Sequence, residues 1–112
     1  MAKRPEMPKL VKIGYKDYEI VEMTDLESDQ HRAAGQTMHL LGKIKINLGP
    51  GTREAAETLH HEIMHAVWCI WHIPVDVKEE IAVTSLSLGL STVWRDNPDV
   101  FAWIGYHLRH GT

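Results

Sequence analysis

The 112-residue chain holds one cysteine, Cys69. That excludes an internal disulfide and suits a reducing compartment. No apolar run approaches the ~20 residues needed to cross a bilayer. The first residues, Met1 to Pro8, carry prolines and charge where a signal peptide has its apolar core. A flexible tail over residues 1–8 and a cytoplasmic protein are therefore expected. Surplus positive charge is missing too. The formal net charge is −3, and the basic residues are scattered apart from Lys3, Arg4, Lys9 and Lys12. This argues against a nucleic-acid or anionic-membrane partner. Internal repeats and low-complexity tracts are absent. What remains reads as one domain over residues 9–112, with 44% hydrophobic content to build a core.

The first half carries strand signals. In Leu10 to Met23, Val11, Ile13 and Tyr15 alternate with Lys12, Gly14 and Lys16, and β-branched and aromatic residues dominate. Turn formers at Gly14 to Asp17 predict a hairpin. Thr24 to Gly35 is polar and reads as a loop with at most a helical turn, its Asp25, Glu27, Asp29 and His31 solvated. Lys43 to Leu48 alternates cleanly, Ile44, Ile46 and Leu48 against Lys43, Lys45 and Asn47, and predicts a half-buried strand. His39, alone before Gly42, reads as structural.

Gly49-Pro50-Gly51 breaks that strand, and Thr52 is placed to cap a helix, with Glu54 near its positive end. Ala55, Leu59, Ile63, Ala66 and Ile70 then recur at helical spacing, and Pro74 stops the helix near Trp71 or His72. In the middle stands His61-Glu62-Ile63-Met64-His65, an H-E-x-x-H sequence. Residues four apart lie one turn above each other, so His61 and His65 can reach one metal ion together. Glu62 can lean toward the open coordination position and take a proton from a metal-bound water. Zinc suits nitrogen and oxygen donors in a tetrahedron, and a catalytic zinc keeps one position for water. His60 points about 100° away from His61. His72 lies too far along the axis, and Cys69 reads as a buried apolar thiol.

A third ligand is required. Asp76 as cap, with Glu79 at the third position, predicts the next helix, which runs through Leu86, Leu90 and Val93 to about Arg95. A helical hairpin turning at Ile73 to Asp76 would return Glu79 and Glu80 beside the motif. Glu80 is favoured over Glu79, because it shares a face with Thr84, Ser87 and Ser91, small residues suited to close packing on the motif helix. Asn97-Pro98 then opens a last helix with Val100, Phe101, Ile104 and Leu108 on its apolar face, closed by Gly111.

Thr58-Leu59-His60-His61-Glu62-Ile63-Met64-His65-Ala66 resembles the T-L-x-H-E-x-x-H-A core of small phage and prophage zincin-like metallopeptidases, compact relatives of the ImmA/IrrE-type peptidases. Glu79-Glu80, Gly89-Leu90 and Arg95-Asp96-Asn97-Pro98 are similar to the downstream segment of that family. The resemblance implies His61 and His65 as zinc ligands, Glu62 as general base and an acidic residue on the following helix, Glu80 here, as third ligand. Family members continue Glu-x-x-Ala-Asn, whereas this chain reads Glu80-Ile81-Ala82-Val83. The implied fold is α+β and zincin-like: a small twisted, mostly antiparallel sheet of three to four strands from the N-terminal half, packed on two or three C-terminal helices. The implied activity is zinc-dependent hydrolysis of a peptide or protein substrate, with Lys43 to Leu48 as the strand edge that aligns it. The alternative is a phage-encoded binding, adaptor or inhibitor module that keeps zinc for stability.

Overall fold

The computed structural model describes residues 4–112. Strands β1 (Leu10–Ile13) and β2 (Lys16–Glu22) form the expected antiparallel hairpin, with Ile13 opposite Lys16. The turn between them uses Gly14 at φ 63°, a left-handed conformation that costs a side-chain-bearing residue energy. Val11, Ile13, Tyr18 and Ile20 point inward, while Lys12, Asp17 and Glu19 are exposed. Residues 1–3 of the expected flexible tail lie outside the described residues. At its described end, Met7 packs against the core and Pro8 is buried, so that end is tied down.

The segment expected as a loop after β2 holds a seven-residue helix, α1 (Asp25–His31). Its cause is a capping box: the Thr24 hydroxyl accepts from the Glu27 amide, and the Glu27 carboxylate accepts from the Thr24 amide. Glu27, expected to be solvated, is half-exposed and also paired. Lys45 donates to it at 2.7 Å, and this hydrogen bond, followed by that from Thr24, holds the Glu27 carboxyl at about 2.

Strands β3 (Gly35–Met38) and β4 (Lys43–Ile46) pair antiparallel, and β4 pairs parallel with β2. The sheet order is β1-β2-β4-β3. Two of its three ladders are antiparallel, so the sheet is mixed. Three helices follow: α2 (Thr52–Ile70), α3 (Glu79–Asp96) and α4 (Pro98–His110). The fold is α+β, as expected.

Two helix starts differ from expectation. The N-cap of α2 is Gly51 at φ 123°, and Thr52 is already helical. Its hydroxyl accepts from the Thr112 amide at 3.3 Å. The N-cap of α3 is Lys78 rather than Asp76, because a turn at Val75-Asp76 delays the helix. Pro98 begins α4 as expected.

One face of the sheet supplies Val11, Ile13, Tyr18, Ile20, Ile44 and Ile46 to the core. They meet Ala55, Leu59, Ile63, Ala66 and Val67 of α2, with Val100, Phe101, Trp103 and Ile104 of α4 completing the cluster. The apolar stripe of α2 is thus fully used, which fixes the rotation of that helix. Gly89 brings α3 onto α2: a Cβ there would stand 2.5 Å from a Val67 methyl and 3.2 Å from the Trp71 ring. Among the described residues, no helix is long and apolar enough to cross a membrane.

Candidate metal centre

Burial of Leu59, Ile63, Ala66 and Val67 turns His61 and His65 outward, one turn apart on an exposed flank of α2. Their Nε2 atoms converge to 3.1 Å, with the rings edge-on and centroids 4.7 Å apart. Two imidazoles on one tetrahedral zinc, each about 2.05 Å from the ion, stand about 3.3 Å apart. The observed separation is close to that spacing. A ligand atom from each of His61, Glu62 and His65 falls within 4.8 Å of the others, the one such group among the described residues.

Glu62 differs from the histidines in being buried, at 6% exposure. A buried carboxylate needs a donor or a cation. The donor comes from β3: the Thr37 hydroxyl stands 2.7 Å from Glu62 Oε1 and 3.1 Å from the Glu62 carbonyl oxygen. Two residues earlier on the same strand, Gly35 lies against α2, where a Cβ would come within 2.5 Å of a Thr58 methyl and 3.1 Å of Glu62 Cγ. The missing side chain lets the strand approach closely enough for Thr37 to reach the carboxylate. Neither residue stood out in the sequence, because a Gly-x-Thr in a short polar strand has no local signal. Thr37→Val removes the donor without changing side-chain size much. On the hydrolytic reading proposed below, it lowers kcat about tenfold, with zinc affinity retained and Thr37→Ser restoring the rate. A zinc titration beside a rate assay checks this, and equal kcat for Thr37→Val and the parent would remove Thr37 from the site.

Glu79 and Glu80 are not part of the group. Both are exposed in the first turn of α3. Thr84, Ser87 and Ser91, expected to pack on α2, are also exposed, and Glu80 shares their face. The packing stripe of α3 is instead Leu86, Gly89, Leu90 and Val93. Gly89 meets Val67 and Trp71, while Leu86 lines a cavity with His61 and His65. Leu86 and Val75, rather than Glu79 or Glu80, line the cavity beside the histidine pair.

Two further expectations are corrected. Cys69 is exposed, not buried, because it continues the outward flank of His61 and His65 by one turn. The edge strand is not Lys43 to Leu48. β4 has β2 on one side and β3 on the other, which leaves β3 as the free edge at this end of the sheet, with β1 at the opposite end. The Asn47 amide donates to the Ala34 oxygen, and Gln36 and Met38 stand opposite Lys45 and Lys43. By the alternation of an antiparallel ladder, the amides and carbonyls of Gly35 and Thr37 face outward. A groove of about 330 Å³ runs beside this edge, lined by Gly35, Glu54, Glu57, Thr58, His61 and Glu62.

His39, at the end of β3, is more than a strand residue. Its Nδ1 lies 3.2 Å from the hydroxyl of the buried Tyr18, which orients the ring. Burial holds its imidazole below the ordinary range, with Lys16 and His65 adding to the effect. Burial likewise pushes the Tyr18 phenol up, with Cys69 next in effect.

The arrangement can hold one divalent ion on two imidazoles, with a fixed carboxylate beside it and an unpaired strand edge along one side. Comparison of the chain with protein-family models, with curated proteins and with solved structures gives no match.

Proposed function

We propose that the chain is a zinc metallopeptidase with a zincin-like site that hydrolyses peptide bonds in the cytoplasm. The carrying observation is the 3.1 Å convergence of His61 and His65 Nε2 beside the buried, Thr37-held Glu62. In this reading His61 and His65 hold the ion, and Glu80 or Glu79, which the structure leaves outside the group, completes the protein ligands only if the first turn of α3 moves toward the histidine pair. Zinc, when bound, supplies Lewis acidity toward the carbonyl and makes water acidic enough to react near neutral pH. The chain's own residues do the rest. The outward amides and carbonyls of Gly35 and Thr37 pair with an extended peptide, the way an added strand joins a sheet edge. Glu62 takes the proton of the attacking water and returns it to the leaving amine. Thr37 keeps the carboxylate in place for both transfers.

Metal content tests the centre first. Protein purified without chelators or metal-affinity resin is expected to carry about one zinc per chain by elemental mass spectrometry. His61→Ala and His65→Ala should each weaken zinc binding by about 100-fold or more. Glu80→Gln or Glu79→Gln should weaken it about tenfold, which identifies the third ligand. A parent protein that takes up no zinc when the ion is added would end the enzyme reading.

One observation favours the alternative, a binding, adaptor or inhibitor module. Ile81, Val83, Leu88 and Trp94 are exposed on α3. Against it, a zinc kept for stability is closed by four protein ligands, and such a site has no use for a buried carboxylate beside the open position. Loss of fold on chelation, with no cleavage of any protein, would favour the module.

A further inference from the structure

A second depression opens on the same two histidines, on the side away from the Glu54–Glu57 groove. Three separate pieces of chain build it. The C-terminal half of α2 gives Met64 and Trp68 beside His61 and His65, the α2–α3 connection gives Val75, and α3 gives Leu86. Its volume is about 480 Å³, within the range of small-ligand sites. Apart from the two imidazoles, every lining side chain is apolar or aromatic. Val75 is 96% exposed at its rim, and Met64, Trp68 and Leu86 are half-buried. Leaving such a surface wet is unfavourable. No described residue fills the cavity.

The occupant is constrained by what the cavity shares. Because His61 and His65 form one wall, whatever fills it sits next to the group held at the ion. A concave pocket suits an inserted side chain better than a flat protein surface. Its lining offers no carboxylate to a basic residue and no amine to an acidic one. Met64 is adaptable in shape, and the Trp68 ring offers a face for aromatic contact. On the other side of His61, the groove beside β3 carries Glu54, Glu57 and Thr58 and is polar. The two flanks of the centre therefore have opposite character.

We infer that the cavity formed by Met64, Trp68, Val75 and Leu86 receives a large apolar side chain of the substrate, from the residue next to the bond cut at the His61–His65 centre. The inference rests on the metallopeptidase reading and adds the substrate class. Substrates should then carry leucine, methionine or phenylalanine beside the scissile bond, with a small or charged residue at that position cleaved poorly.

Binding separates this inference from the reading beneath it. The hydroxamates of N-acetyl-leucine and N-acetyl-glycine share a zinc-binding head and differ in the side chain. Each is titrated onto zinc-loaded protein by calorimetry, with tryptophan fluorescence followed in parallel. The leucine compound is expected to bind at least about tenfold tighter, the gain for burying one aliphatic side chain. In Val75→Asp the ratio should fall to about twofold. Val75 is exposed, so this change leaves the core alone, and a melting curve by circular dichroism confirms folding. Equal affinities in the parent protein would overturn the apolar pocket and leave the metal centre standing. An undiminished ratio in Val75→Asp would overturn the assignment of the pocket to these residues. Binding of neither compound would overturn the metal centre and the inference with it.

Discussion

Glu62→Gln is expected to reduce zinc-dependent peptide hydrolysis by about 10² to 10⁴-fold while leaving zinc binding within a few-fold of the parent. The magnitude is that of losing a positioned general base. The selectivity follows from the geometry. Glu62 points between the two imidazoles and β3 and is held by the Thr37 hydroxyl at 2.7 Å. An amide oxygen at the same place still accepts that hydrogen bond, so the side chain keeps its position and the histidines keep theirs. What glutamine cannot do is take a proton. Glu62→Ala would be a poorer test, since it opens a hole beneath Gly35 and loosens the strand as well. The measurement is the rate of zinc-restored hydrolysis of an unfolded protein such as casein by both forms, with zinc stoichiometry determined on the same samples. Undiminished hydrolysis by Glu62→Gln would assign the activity to something other than this carboxylate.

The part of this centre that lies on one helix was legible in the sequence, because helical periodicity is a local property. The spacing of Ala55, Leu59, Ile63 and Ala66 sets which way α2 faces, and His61 and His65 follow from it. The Glu62 partner was not legible. Thr37 reaches it only because β3 lies at the sheet edge and Gly35 lets it approach, and both depend on strand order. Strand order itself escaped the reading of Lys43 to Leu48 as an edge. Alternation of Ile44 and Ile46 with lysines says that one face is buried, but it says nothing about how many neighbours pair with the backbone. Lys45 hides its interior position by reaching Glu27 with its charged end. The packing face of α3 escaped for a similar reason: Thr84, Ser87 and Ser91 look like packing residues, and the face that packs is decided by Gly89 and Leu86 on α2. Helix α1 was a different kind of miss. Thr24 and Glu27 stand at capping-box spacing in the sequence, and that signal was sufficient.

Asn97→Ala should destabilise the protein by about 3 kcal/mol, although Asn97 is remote from the histidine pair. The residue is 5% exposed at the corner between α3 and α4. It begins α4, as Asn before Pro98 suggests, but its side chain makes no capping bond. Its Oδ1 instead accepts from the Lys12 amide at 2.8 Å, and its Nδ2 donates to the Lys12 carbonyl at 2.7 Å and to the Val93 carbonyl at 2.9 Å. Lys12 lies in β1, whose outer side has no strand partner. Asn97 thus stands in for one residue of a missing strand and ties the helix corner to the sheet. Each bond contributes about 1 kcal/mol net, and truncation also strands partly buried backbone groups. For a domain of this size the change corresponds to a fall in Tm of roughly 13 °C. Asn97→Asp should be at least as damaging, since it keeps the acceptor for the Lys12 amide but turns a carboxylate oxygen toward two carbonyls. The comparison belongs in chelator, by urea unfolding, so that zinc bound to the folded state does not mask the loss. A shift below about 1 kcal/mol for Asn97→Ala would show that β1 and the helix corner are held by the apolar core alone.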